Sequence, residues 1–243
     1  MSPAMSLATA TRVLRQVRHD PGTIALIVLL PCLLLGLVAW MFDGTPVLDT
    51  VGPTLLGIFP MIVMLAVTSV TMLRERLSGT LERLMTMPVG RGDVVVGYAL
   101  AFGLVATLQA VVLVAFAVGV LGMDVAGPLW AVIIVGVFDA VLGTALGLVA
   151  SALARTEFQA VQMMLAILYP QIILGGFLMP RDQMPAVLEA ISVVMPLTYG
   201  VDAMQTLATD PDVAAIWGDI GVIGSSIVVA VVVGATTLRR RTP

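Results

Sequence analysis

Residues 74–91 read RERLSGTLERLMTMPVGR, a concentration of charge in a chain that is otherwise almost pure hydrocarbon. Long apolar runs precede and follow it, so it is a loop that leaves a membrane between two spans. Leu77, Leu81, Leu84 and Met85 recur at helical spacing, while Glu75, Glu82, Arg83 and Thr86 fall elsewhere. The pattern predicts a short amphipathic helix that Pro88 ends. A charged helix held just outside a bilayer is a surface offered to another molecule.

Composition sets the class. Of 243 residues, 59% are hydrophobic and 11% charged, with a mean hydropathy of +1.08. Soluble domains carry about 25% charged residues. The chain reads as an all-α integral membrane protein. Its basic residues are all Arg, and no basic patch interleaved with aromatics points to nucleic acid. The single Cys, Cys32, lies in an apolar run and reads as a small apolar filler. Residues 1–22 are polar and basic, and the apolar run after them exceeds a signal-peptide core, so no cleavable signal is expected.

Six segments are long and apolar enough to span: 23–42, 53–73, 94–121, 128–153, 158–178 and 217–238. An even number puts both termini on one side. Eleven arginines fall on that side and only Arg181 on the other. The bias predicts cytoplasmic termini and a cytoplasmic 74–93 loop. Residues 1–22 form an amphipathic helix, with a stripe of Leu7, Ala10, Val13, Leu14 and Val17, suited to the inner lipid headgroups. Residues 23–243 form the six-span domain. Residues 179–216 are too long for a link and too polar to span. Pro185 opens a short helix there, and a second runs from about 199 to 207. Both are expected to lie in the outer interface or dip part-way into it, as a cap or gate.

Within the spans, chemistry is sparse. Asp139 is the one ionisable group near mid-membrane, with Gln109 and Gln171 as polar neighbours in sequence terms. The simplest expectation is an Asp139 that is hydrogen-bonded to a neighbouring helix or protonated. Gly143 and Gly147 make a small-residue face that suits packing within the chain. No hydrolase constellation stands out, and a GxxxxGK[ST] loop is excluded because the chain has no Lys. The chain is therefore read as no enzyme, with no cofactor of its own.

The stretch Arg74, Glu75, Ser78, Gly79, Thr80, Leu81, Glu82, Arg83, Leu84, Pro88, Arg91 and Gly97 resembles the coupling-loop signature of ABC-2 type permeases. A second stretch, Gly175 to Pro180, Met184, Pro185, Leu188, Ile191, Pro196 to Tyr199 and Asp202, is similar to that family's signature after the fifth span. The chain departs from the pattern at Met195, Met204 and Gln205. The resemblance implies a half-transporter. It would pair with a second copy or a related permease and dock two ATP-binding subunits, which would hold the ATP and Mg. Glu75, Arg76, Gly79, Thr80, Leu81, Glu82, Arg83, Leu84, Pro88 and Arg91 would form the coupling surface. Pro180, Met184, Pro185, Pro196, Leu197, Thr198, Tyr199 and Asp202 would form the outer gate.

That reading gives an exporter of an amphiphilic drug, antibiotic or lipid. A polysaccharide or glycolipid exporter is a weaker fit, because aromatic residues are only 5% of the chain. A membrane module that docks an ATPase for immunity or signalling is the alternative from another class. An ion-coupled carrier is disfavoured by the near-empty midplane.

Overall fold

The computed structural model describes residues 3–78, 91–179 and 181–238. All regular elements there are helical. Helix α1 (Pro3–His19) precedes α2 (Pro21–Met41), which holds a π-helical stretch at Ala25–Leu29. Then come α3 (Val47–Leu77), α4 (Arg91–Gly119), α5 (Leu129–Leu153) and α6 (Glu157–Leu174). Two short helices, α7 (Ala186–Ser192) and α8 (Pro196–Thr209), lead to α9 (Ile216–Leu238). Helices α2, α3, α4, α5, α6 and α9 contain the six stretches long and apolar enough to cross a membrane. The six-span expectation holds, with the second span extended at both ends. Helix α3 has 31 residues rather than the 21 of the expected span. At about 1.5 Å per residue it is roughly 46 Å long, against about 30 Å of hydrocarbon. Its last turn therefore carries Arg74, Glu75 and Arg76 out of the apolar layer as helix, where the sequence suggested the start of a loop element.

Helix α3 is the axis of the bundle, with buried residues along most of its length. Close approach to α5 depends on small residues. A Cβ at Gly143 would collide with the Met61 carbonyl, and one at Gly147 would lie 2.8 Å from the Leu65 carbonyl oxygen. The small-residue face of α5 therefore packs within the chain, with backbone against backbone. Helix α1 lies on α4 in the same manner. A Cβ at Gly97 would lie 2.5 Å from Thr9 Cβ and 2.8 Å from the Ser6 carbonyl oxygen. The buried side of α1 is Ser6, Thr9, Ala10 and Val13, while Leu7 is 60% exposed. The contact face is thus rotated from the apolar stripe, because α4 presents a glycine that accepts small polar side chains.

The segment after α6 differs most from a surface cap. Helices α7 and α8 meet at a 92° bend. Met184, placed before α7, is nearly buried, but Val187, Leu188, Ile191 and Val194 on its apolar stripe are exposed. Helix α8 instead buries Leu197, Thr198, Val201, Ala203, Met204 and Leu207. It starts beside Gln171 of α6 and ends against Gly127, whose N–H donates to the Leu207 carbonyl at 2.8 Å. It is a helix packed inside the bundle, starting at Pro196 rather than at 199.

Candidate functional site

Three polar stations lie along this apolar bundle. The first is at the arginine-rich end, in the last turn of α3. Glu75 is 6% exposed and accepts from Arg12 of α1 through both carboxylate oxygens, at 3.3 and 3.1 Å. The same guanidinium donates to the Tyr98 hydroxyl of α4 at 2.5 Å and lies 5.7 Å from that ring's centre. Tyr98 follows Gly97, the residue that lets α1 come close. Arg76 donates to the Ser151 carbonyl of α5. Arg74 pairs with Glu157 of α6, Nε to Oε1 at 2.9 Å. Three consecutive charged residues thus tie one helix end to α6, to α1 and to α5. Helical geometry explains the fan, since neighbours on a helix point about 100° apart.

Glu75 and Arg76, expected on the coupling surface, are therefore engaged within the chain. Gly79, Thr80, Leu81, Glu82, Arg83, Leu84 and Pro88, with the amphipathic helix expected there, lie outside the described residues. Arg91 opens α4. Sequence reasoning missed Arg12 and Tyr98 as members of this station. Their partners are 63 and 86 residues away, and no local pattern encodes such a pairing.

The second station is Asp139 of α5, fully buried. It is the eleventh residue of its helix, about 15 Å from the end, near the middle of the apolar layer. A Cβ at Gly57 of α3 would sit 2.9 Å from Asp139 Oδ2, and a Cβ at Gly200 of α8 would overlap the carboxyl itself. Neither carboxylate oxygen has a hydrogen-bond partner among the described residues. The expected bond to a neighbouring helix is absent there, because the facing residues are glycines within regular helices. Gln109 of α4 is likewise buried and unpartnered. Gln171 instead caps α8, accepting from the Leu197 N–H at 3.2 Å. The three polar residues share no hydrogen bond with one another.

The third station is at the opposite end. Arg181 pairs with Asp202 of α8 at 2.6 Å, and its guanidinium lies 5.7 Å from the Tyr199 ring centre. The Tyr199 hydroxyl donates to the Val193 carbonyl at 2.9 Å, and Thr198 Oγ1 to the Ser192 carbonyl at 3.0 Å. Pro185 caps the start of α7 and Pro196 begins α8, so residues between 181 and 202 form one bracket around the bend. Pro180 lies outside the described residues. Among the described residues, no cluster of three or more His, Cys, Asp or Glu could hold a metal ion.

The family model for the ABC-2 type transporter matches residues 6–208, from α1 into α8. The chain belongs to the ABC-2 type transporter family. Among its relatives is the Escherichia coli K12 protein described as a probable multidrug ABC transporter permease, YbhR. The two are 28% identical over 169 residues, 69% of this chain and 46% of that one. The Dictyostelium discoideum ABC transporter G family member 20 is 28% identical over 160 residues, 66% of this chain and 22% of that one. The E. coli K12 inner membrane transport permease YhhJ is 29% identical over 149 residues, 60% of this chain and 40% of that one. The match spans less than half the length of each of these relatives. Within an ABC-2 permease, the three stations acquire an order. One lies at the end of α3, one lies inside the bundle, and one brackets the bend between α7 and α8.

Proposed function

We propose that this chain is the membrane subunit of an ATP-driven exporter, with ATP hydrolysed by separate subunits that dock on residues 74–91. The observation that carries this reading is the anchoring of both stems of that segment. Glu75 at the end of α3 and Tyr98 near the start of α4 are held by the one Arg12 guanidinium. A push on the segment between them would reach α1, α3 and α4 together, and through Arg76 and Arg74 also α5 and α6. Glu82 and Arg83 would supply charge-assisted contacts to the partner, with Leu81 and Leu84 filling its groove. The bracket at Arg181, Tyr199 and Asp202 would act as the gate.

The cargo class is an amphiphile: a drug, an antibiotic or a lipid. The description of the YbhR relative as a probable multidrug ABC transporter permease supports that class. Two permease chains would flank the path, and two ATP-binding subunits would sit beneath them. The arginine-rich end would face the cytoplasm, following the positive-inside bias, with residues 1–22 against the inner leaflet. Cysteines at His19 and Ala186, in a Cys32→Ala background, test that orientation. An impermeant thiol reagent should label them from opposite sides, and labelling of both from one side would reject it. For the function itself, the chain is reconstituted with its co-encoded ATPase and screened with amphiphiles. ATP turnover stimulated by a compound that also moves across the membrane supports export. Turnover that responds to a compound with no movement favours a signalling module.

A further inference from the structure

We infer that Asp139 is a proton-binding site at the junction of α3, α5 and α8, and that loss of its proton undocks α8. Two helices each forgo a side chain to house this one carboxyl, through Gly57 and Gly200. An aliphatic residue would fill the same volume without removing a carboxyl from water. The space is therefore shaped around an acid that the packing alone does not need.

The ligand that suits the space is a bare proton. Metal ions such as calcium need six or more oxygen ligands, and here both carboxylate oxygens lie against Gly200, with Oδ2 also against Gly57. No counter-charge is at hand. The ionisable groups described on the surrounding helices are Asp49, Arg74, Glu75 and Arg76 of α3, Tyr98 of α4, Glu157 and Tyr169 of α6, Asp202 of α8 and Asp219 of α9. None is hydrogen-bonded or ion-paired to Asp139. An unpaired carboxylate at this depth is costly, while a neutral acid is far less so. The docked state thus holds the acid, and the carboxylate must reach water.

Helix α8 is the element able to give way. It is the shortest of the three helices around the carboxyl, 14 residues against the 31 of α3 and the 25 of α5, and it meets α7 at a 92° bend. When it withdraws, the proton passes from the carboxyl to water and a solvated carboxylate stays on Asp139. The docked state carries one proton more than the undocked state. Above the ordinary carboxylate range, the docked-to-undocked ratio then falls about tenfold per pH unit. None of this requires the ATPase, so the test leaves the exporter reading standing or falling on its own.

Infrared spectroscopy of the purified chain in lipid bilayers at neutral pH reads the proton directly. The expected result is a neutral carboxylic acid stretch that shifts on labelling aspartate with carbon-13 at the side-chain carboxyl and is lost in Asp139→Asn. Asp219 of α9 is itself half-buried, so the same spectrum is taken on Asp219→Asn, where the isotope-shifted band should remain; its persistence there assigns it to Asp139 even if Asp139→Asn fails to fold. Absence of an isotope-sensitive neutral-acid band overturns the proposal. The undocking is read at Ala203→Cys on the buried face of α8, with Cys32→Ala. Its alkylation rate, divided by that of the same chain carrying Asp139→Asn, should rise about tenfold per pH unit. A flat ratio overturns the link between proton loss and α8.

Discussion

Glu75 and Asp139 are the two carboxylates buried among the described residues, one with both oxygens bonded and the other with neither. Glu75 belongs to a helix end where every charged neighbour reaches a different helix. Asp139 belongs to a junction where the neighbours are glycines. The arginine-rich end is held together by directional charge, which resists tilting and can pass a displacement on. The junction is held by fit, which yields once the fit is lost. A subunit that must transmit motion at one end and accommodate it in the middle needs both kinds of contact.

The sharpest way to break the comparison is to strand the paired carboxylate. Arg12→Ala leaves Glu75 buried, with the guanidinium that bonds both of its oxygens gone. Breaking a buried pair from one side costs roughly 3–5 kcal/mol. The low end applies, because the Arg12 side chain is 30% exposed and water can enter. Thermal unfolding in micelles should show a loss of about 3 kcal/mol. An effect under about 1 kcal/mol, the value typical of exposed pairs, would mean that charge does not lock this end.

At the junction the matching change is Gly200→Ala, which drives a methyl into the Asp139 carboxyl. Overpacking of this kind costs about 1–3 kcal/mol. Adding Asp139→Ala removes the colliding atoms and should restore part of that loss. The double-mutant cycle reads the coupling. Strict additivity would show that the carboxyl is not what Gly200 makes room for.

Smaller effects sharpen the contrast between buried and exposed charge at the same helix end. Arg74 and Glu157 are 62% and 51% exposed, so Arg74→Ala should change stability by no more than about 1 kcal/mol and lose even that at high salt. A loss as large as that of Arg12→Ala would erase the distinction drawn here. The smallest effect belongs to Asp20, which caps α2 by accepting from the Gly22 and Thr23 N–H groups and the Thr23 hydroxyl. The Thr23 hydroxyl leads in holding this carboxyl below its ordinary range. A lowered value means that the cap is fully present above the ordinary carboxylate range and is lost as pH falls through the lowered value. Acid should therefore weaken hydrogen-exchange protection at the start of α2, and Asp20→Ala should remove that acid sensitivity. Equal sensitivity in both chains would rule out Asp20 as its source.

The spans were legible because hydropathy is local: some twenty apolar residues announce a crossing whatever surrounds them. Asp139 was legible for the same reason, as an acid inside an apolar run. Its cage was not, since Gly57, Asp139 and Gly200 meet only after three helices pack. The last turn of α3 shows the complementary limit. Arg74, Glu75 and Arg76 look like loop charges in sequence, because charge normally marks the end of a span. Their long-range partners let the helix continue past the apolar layer. Helix α8 was hard to place because its polar residues, such as Thr198 and Asp202, suggest a surface. In the fold each is satisfied within the bracket around the bend.

The central claim is that force enters this permease through residues 74–91. The direct measurement is ATP-dependent transport by the complex of this chain with its ATPase in sealed vesicles, comparing the unmutated chain with Glu82→Arg combined with Arg83→Glu. Both residues fall between apolar runs of the sequence, so membrane insertion should be unchanged. The account predicts that the double reversal weakens co-purification of the ATPase and abolishes transport. Wild-type co-purification together with wild-type transport would contradict it.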